Sequence, residues 1–477
     1  MPYPTQLIVI AYLGILGLLS LYGCHRLYIT IVYWRLRKEA PQPGSDCSLP
    51  MVTVQLPVFN ERNVIERLID ATAALDWPAE QLEIQVLDDS TDDTTEVAQA
   101  AAARWQAAGI DVKVVRRGDR IGFKAGALQA GMKTARGEYL AVFDADFIPP
   151  ANFLRVTMPH LLRSARIGMV QTRWGHLNEE HSLLTRLSAV LLDGHFVLEH
   201  TARHRSGKFF NFNGTAGIWK RACIEDAGGW QHDTLTEDLD LSYRAQLAGW
   251  QFVFLRDLIS PAELPADMRA FKIQQHRWAK GTVQTARKLA GPILSSDQPA
   301  RVKAEALVHL SSNFAYPLVL LLAALMPLAV LARGRSGVTE ALLLDLPAFV
   351  LATLSVGTFY AMAEREADPA GWRTRLWRIP LVMSLGIGMA VNQTRAVFEG
   401  LLGSDVTFVR TPKVGSTSLR RYRQKLDWTP IIELAFAAYF VVGVGWIIDQ
   451  HYWASLPFMA LFGAGFGYVG LMSLREA

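Results

Sequence analysis

The chain has 477 residues, of which 51% are apolar and 19% charged. Its mean hydropathy lies above zero, which is too apolar for an ordinary soluble protein of this length and points to a membrane protein. The net charge of +4 carries no long basic block in the middle of the chain and no nucleic-acid module, so no nucleic-acid partner is expected; three cysteines without paired spacing exclude a disulfide framework.

In chain order, the first element is the run Leu7 to Cys24, about long enough to cross a bilayer, which takes roughly 20 apolar residues. Uncharged residues precede it, and Arg26, Arg35, Arg37 and Lys38 follow it. That order predicts an uncleaved anchor with the amino terminus outside, and a following domain in the cytosol of a cell whose plasma (inner) membrane holds the protein. From Pro41 to Arg301 the charge and the Gly/Pro punctuation are those of a globular α/β domain.

Within that domain "MVTVQLPVFNE" reads as strand then loop, and "RNVIERLIDATAAL" as an amphipathic helix. "LEIQVLDDS" followed by "TTEVAQAAAARWQAA" repeats the pair, and "VKVVRR" and "YLAVFDAD" are two further strands. Alternating strands and helices predict a parallel sheet covered on both faces, with ligands beyond the carboxyl ends of the strands. Four aspartates, Asp88, Asp89, Asp92 and Asp93, crowd the end of the second strand, and Asp144 and Asp146 follow the fourth. Such carboxylates repel one another unless a cation joins them, so the tips predict a divalent ion and a diphosphate. Turn and helix-cap work is the competing explanation, applying best to Asp92 and Asp93 and least to Asp89. No GxGxxG follows the first strand and no GKS or GKT occurs, which excludes the dinucleotide and P-loop readings.

"HFVLEHTARH" gathers His195, Glu199, His200 and His204, but the spacing fits no zinc protease motif, so core or solvated histidines are expected. "TED" opens a helix at Glu237 and Asp238, and a helical pattern beginning near Met268 carries "QQHRW" along an amphipathic stretch suited to a membrane surface. Further spans are predicted at Phe314 to Ala332, Ala341 to Met362, Ile431 to Ile448 and Ala454 to Met472. The shorter run Ile379 to Val391 has basic residues on both sides, which favours an interfacial or re-entrant segment over a span.

Seven motifs in order, "VQLPVFNE", "VLDDSTD", "GFKAGAL", "FDADF", "FNGTAGIW", "TEDLDLSYR" and "QQHRW", resemble those of family 2 glycosyltransferases in the cellulose synthase superfamily, most closely its cellulose-synthase-like A and C branches, the mannan and glucan synthases. The resemblance implies a GT-A-type nucleotide-sugar domain inserted between transmembrane helices. Its parts would be an anchor over 1–40, a catalytic domain over 41–268, interface helices over 269–300 and a transmembrane region over 301–477. It further implies that Pro57, Asn60, Glu61 and Asp89 line the base and ribose of a nucleotide-sugar donor, and that Lys124 approaches the nucleotide. Asp144 and Asp146 would hold Mg2+ or Mn2+, Asp146 most directly, with Asp144 also against the donor. Asp238 would be the general base of an inverting transfer and Glu237 its positioning neighbour. Gln274, Gln275, Arg277 and Trp278, with Phe212, Asn213, Gly214 and Thr215, would contact diphosphate and acceptor, Arg277 by forked hydrogen bonds and Trp278 by stacking on a sugar ring. "FVRTPK", with Phe408, Thr411 and Lys413, is similar to a cytosolic gating loop.

The function implied is transfer of glucose from UDP-glucose, or mannose from GDP-mannose, to a growing β-glycan, coupled to passage through the bilayer. Two rivals stand beside it: single transfers to a lipid such as ceramide or diacylglycerol, giving a glycolipid, and a transporter or channel with a regulatory nucleotide-binding domain, motivated by Asp345 and Glu433 within the apolar runs.

Overall fold

A computed structural model describes residues 4–46, 48–334, 338–403 and 428–476. The segment read as a gating loop, Phe408, Thr411 and Lys413 included, lies outside the described residues. The chain opens with a long helix, α1 (Pro4–Leu36), and then folds a sheet of seven strands among the described residues. These are β1 (Val52–Val58), β2 (Leu82–Asp88), β3 (Asp111–Val115), β4 (Tyr139–Val142), β5 (Ile167–His176), β6 (Gly217–Lys220) and β7 (Gln251–Ala262), in the spatial order β3-β2-β1-β4-β6-β5-β7.

The helices of this domain are α2 (Ile65–Ala73), α3 (Thr94–Ala107), α4 (Phe123–Thr134), α5 (Phe153–Leu162), α6 (Leu183–Asp193), α7 (Thr201–Arg205), α8 (Arg221–Asp226) and α9 (Glu237–Leu247). β1 and β2 are buried almost throughout because helices cover both faces, which is why they read as nearly continuous apolar runs. Side-chain alternation divides the core between those faces. Tyr139, Ala141 and Phe143 pack with α2, α3 and α5, whereas Leu140 and Val142 pack with α4, α8 and α9.

β1, β2 and β4 are parallel, with Gln55 opposite both Gln85 and Val142, so their carboxyl ends align at one edge. From β1 the chain moves outward to β2 and β3 and then returns to β4 on the other flank of β1. The strand ends diverge there, and a crevice opens at that switch point. The expected parallel sheet proves mixed, because β6 runs antiparallel to both β4 and β5. The chain enters β6 from the crevice end through Phe212 to Ala216 and can only run back down the sheet. Gly217 permits the close approach, since a Cβ there would lie 2.9 Å from the Val170 carbonyl oxygen.

After the sheet come α10 (Met268–Ser295), α11 (Ala300–Ser311), α12 (Ala315–Gly334), α13 (Val338–Ala367) and α14 (Trp372–Arg375). They are followed by α15 (Arg378–Gly388), α16 (Ala390–Leu402), α17 (Thr429–Asp449) and α18 (Leu456–Arg475). Among the described residues four segments are long and apolar enough to cross a bilayer: Gln6–Leu36, Ala300–Ala332, Thr429–Asp449 and Leu456–Arg475. The run Ala341 to Met362 falls inside α13. The ambiguous run Ile379 to Val391 divides between α15 and α16; α15, with 11 residues, is only about 16 Å long, about half the hydrocarbon thickness.

Candidate active site

The crevice beyond β1, β2 and β4 is lined by Pro57, Glu61, Asp89, Lys124, Asp144 and Asp146 from the sheet side, and by Asn213 and Gly214 from the loop before β6. Glu237 and Asp238 from α9, and Gln274, Arg277 and Trp278 from α10, close it. Residues spread over more than two hundred positions of the chain thus meet in one cleft. The aspartates after β2 divide their labour. Asp88 accepts from the Ser90 amide at 2.9 Å and the Thr95 hydroxyl at 2.6 Å, and Asp92 from the Thr94 amide at 3.0 Å, so both order the turn into α3. Asp89 faces the cleft and takes a forked pair from Arg117, at 2.8 and 2.6 Å.

At the centre, Lys124 donates to Asp144 and, at 2.8 Å, to the carbonyl oxygen of Gly214. Burial opposes the lysine's charge, but Asp144, Glu237 and Asp238 outweigh it and raise its pKa above the ordinary range. Gly214 has φ +81°, and a Cβ on it would stand 3.0 Å from Asp238 Oδ2 and 3.3 Å from Lys124 Nζ. Only glycine lets this loop pass between the two without strain.

The start of α9 has Thr236 as its N-cap position, and Asp238 lies in the first helical turn, where unpaired amides favour negative charge. The Leu239 amide donates to Asp238 Oδ1 at 2.8 Å. Burial and the neighbouring Glu237 nevertheless push Asp238 up to about 7, against the lowering effects of Lys124 and Arg277. Burial also raises Glu237. α10 fixes the turn that leads into α9: Gln284 Oε1 accepts from the Leu235 amide at 2.9 Å, and the Thr236 and Thr285 hydroxyls bond at 3.2 Å. On α10 itself, Gln274, Arg277 and Trp278 stand at i, i+3 and i+4 and therefore share one helix face.

Four other sequence-derived candidates stand behind the wall. The Asn60 side chain takes the Thr91 amide at 2.8 Å, and its own amide donates to Ser90 Oγ at 2.9 Å, so it stitches the β1 loop to the β2 loop. Phe212 is fully buried, and the Thr215 hydroxyl accepts from the Asp144 amide at 2.8 Å. Gln275 points away from the face that Gln274, Arg277 and Trp278 share. Residues not anticipated also line the cleft. The Arg120 guanidinium stacks 3.3 Å from the centre of the Phe59 ring, and Trp174 packs against Phe147 with centroids 5.2 Å apart and Trp278 at 6.5 Å. "RRGDR" offered Arg117 and Arg120 as visible charges, but which of them turns inward depends on the loop.

Asp144 and Asp146 are the paired carboxylates available to a cation. Among the described residues no group of three or more His, Cys, Asp or Glu side chains forms a closed metal cage. Two carboxylates opening into a cleft beside a buried lysine and an arginine fit a hard divalent ion whose shell is completed by phosphate oxygens and water.

Comparison with known proteins agrees with this architecture. Residues 50–281 match the model described as Glycosyltransferase like family 2. Glucomannan 4-beta-mannosyltransferase 2 of Arabidopsis thaliana is 42% identical over 289 residues, covering 57% of this chain and 54% of that protein. Glucomannan 4-beta-mannosyltransferase 1 of Oryza sativa subsp. japonica is 34% identical over 463 residues, covering 91% of this chain and 85% of the relative. In several such alignments the chain spans about half the length of the curated relative. Among solved structures, a mannosyltransferase from Pyrobaculum calidifontis, in complex with GDP-Man and Mn2+, superposes with a TM-score of 0.52 at 22% identity, over 81% of this chain and 99% of that one, which supports the fold. With the cleft residues in motif order and a relative aligned along 91% of this chain, the chain belongs to the family 2 glycosyltransferases of the cellulose synthase superfamily, in its cellulose-synthase-like branch.

Proposed function

We propose that this protein is an inverting membrane glycosyltransferase that transfers mannose from GDP-mannose to the non-reducing end of a β-linked glycan and passes the product through its own membrane helices. The observation that carries the reading is the convergence of Asp89, Lys124, Asp144, Asp146 and Asp238 on one cleft whose far wall is Arg277 and Trp278. Mannose over glucose is favoured by the names of the aligned relatives, which are glucomannan 4-beta-mannosyltransferases.

In this reading the nucleoside lies along the β1 and β2 tips between Phe59 and Asp89, and the diphosphate faces Asp144, Asp146 and Arg277. Mg2+ or Mn2+ held by Asp144 and Asp146 would offset the charge of the departing diphosphate. Lys124, already engaged by Asp144, adds positive charge to the same region. Asp238 takes the proton of the acceptor hydroxyl as that oxygen attacks the anomeric carbon, and the bond to the diphosphate breaks on the opposite face, so an α-linked donor yields a β-linkage. A carboxylate raised to about 7 is a stronger base than an ordinary aspartate while still ionised in good part near neutrality. Trp278 and Trp174 offer flat faces to the acceptor sugars. The catalytic domain faces the cytosol, where nucleotide sugars are found, and glycan rather than lipid is the acceptor.

The test is a donor screen on purified protein in lipid, with GDP-mannose or UDP-glucose, Mg2+ or Mn2+, and linkage analysis of the product. β-Linked mannan from GDP-mannose, lost with chelator and with Asp238→Asn, is expected. Wild-type polymer synthesis by Asp238→Asn would overturn the mechanism, and glucan from UDP-glucose alone would overturn the donor.

A further inference from the structure

Between α6 and α7 the helix does not continue with ordinary geometry: Gly194–His200, "GHFVLEH", forms a π-helical segment. Such insertions are rare, appear mostly as short bulges, and recur at functional sites. This one contains two of the histidines that fitted no metal motif. Both close on a single cleft residue, since Asn213 Nδ2 meets His195 Nε2 at 2.9 Å and Asn213 Oδ1 meets His200 Nε2 at 2.7 Å.

The amide can only donate from nitrogen and accept at oxygen, which assigns the tautomers. His195 accepts at Nε2 and donates from Nδ1 to Glu199 at 3.1 Å, while His200 donates from Nε2 to Asn213, and also reaches the Asn211 carbonyl at 3.0 Å. The amide of Asn213 thus has its orientation fixed at both ends. The same segment supports the aromatic wall, because Phe196 packs on Trp174 with centroids 4.9 Å apart. Its other side is keyed to the membrane helices: a Cβ on Gly194 would lie 2.6 Å from Phe359 of α13, and Glu199 faces Arg26 of α1 at 3.7 Å.

We propose that His195 and His200 are positioning residues that hold the Asn213 side chain in the orientation needed to bind the acceptor, and that the π-helical turn exists to bring both rings to that one amide. The proposal rests on reading the cleft as a glycosyl-transfer site. An ordinary α-helix would separate positions 195 and 200 by 500° of rotation, or 140° around the axis, so both could not face Asn213; a π turn brings residues five apart close to register.

The experiment uses full-length protein in lipid, with GDP-mannose as donor and a β-linked mannooligosaccharide as acceptor. His195→Ala should raise the acceptor KM about tenfold, leave the donor KM within twofold, and raise the ratio of donor hydrolysis by water to sugar transfer at least fivefold. His195→Gln, whose side-chain oxygen can accept from Asn213, should recover most of the acceptor affinity. Because His200 is fully buried and its loss risks misfolding, the second measurement is the double variant His195→Ala with Asn213→Ala, expected to bind acceptor no worse than Asn213→Ala alone. Donor and acceptor KM rising together, His195→Gln no better than His195→Ala, or additive losses in the double variant would each overturn the proposal. Absence of GDP-mannose turnover by the wild type would instead count against the donor assignment above, so the two failures are distinguishable.

Discussion

Asp238 illustrates how a single side chain's surroundings prescribe its chemistry. Burial and Glu237 hold it near 7, and as the proposed base it must be ionised to accept a proton, so kcat/KM should rise with pH and level off above about 7. Replacing the proposed base with asparagine is expected to lower kcat by roughly 10²–10⁴, the usual weight of general-base catalysis, with donor KM little changed. Glu237→Gln removes a negative neighbour and so favours the ionised form of Asp238. The acidic limb of its pH profile should move to lower pH, and a limb that stayed in place would show that Glu237 does not act on the base. Gly214→Ala is a sharper probe, because a φ of +81° and a Cβ 3.0 Å from Asp238 Oδ2 combine backbone strain of about 1–3 kcal/mol with displacement of the carboxylate. The variant should fold with lowered stability and lose most of its kcat, as read by initial rates at saturating donor. Asp89, Asp144 and Asp146 were visible in the sequence as clusters at strand ends, and Glu237 and Asp238 as the opening of a helix. The forked pairing of Arg117 with Asp89, and the lysine held by Asp144, were not, since each depends on loops whose direction no spacing encodes.

At the level of elements, the strands that the sequence announces are the apolar, β-branched ones, three of them buried almost throughout and the edge strand β3 only at Val112. β1 to β4 declare themselves by apolar, β-branched runs, but β6 has four residues and reverses direction only because the loop before it returns from the cleft. The π-helical turn left no periodic signal at all, because a single inserted step is lost within an apolar stretch that scans as ordinary helix. Polar positions inside the paired strands were likewise silent. Glu83 is fully buried in β2, yet it accepts from the Thr53 hydroxyl at 2.6 Å and the Arg136 amide at 2.8 Å and pairs with Lys113 at 2.9 Å. Burial opposes its charge, but these donors prevail and hold its pKa below the ordinary glutamate value. A lowered carboxylate contributes stability that is present above its unfolded value, near 4.5, and is lost as pH falls below it. Glu83→Leu should therefore destabilise the domain by about 1–3 kcal/mol for each buried donor it orphans, and should abolish that part of the acid sensitivity, measurable by denaturant unfolding at pH 7 and pH 4.

For the whole molecule, the question is what ties the α/β domain to the apolar helices that follow and precede it. Apolar packing of α6, α13, α15 and α18 supplies area, but orientation needs directional contacts; Arg378 of α15 pairs with Glu179 at 2.7 Å, and a second, more deeply buried group gathers around Glu305 of α11. Its carboxylate meets Arg203 at 3.1 Å, His25 of α1 at 3.1 Å and Lys208 at 3.5 Å, so one acidic group joins the catalytic domain to two membrane-associated helices. Arg203 also reaches Glu199 at 3.4 Å, and Arg203 and Glu305 are each only 3% exposed. Buried pairs of this kind add little net stability over apolar residues of equal volume, because desolvation cancels most of the attraction, yet removing one partner strands the other. Either Arg203→Met or Glu305→Met alone should therefore cost about 3–5 kcal/mol, whereas the double replacement should cost less than the sum and no more than the worse single change. Chemical unfolding in detergent micelles reads all three. Additive losses would mean that the pair is not one electrostatic unit.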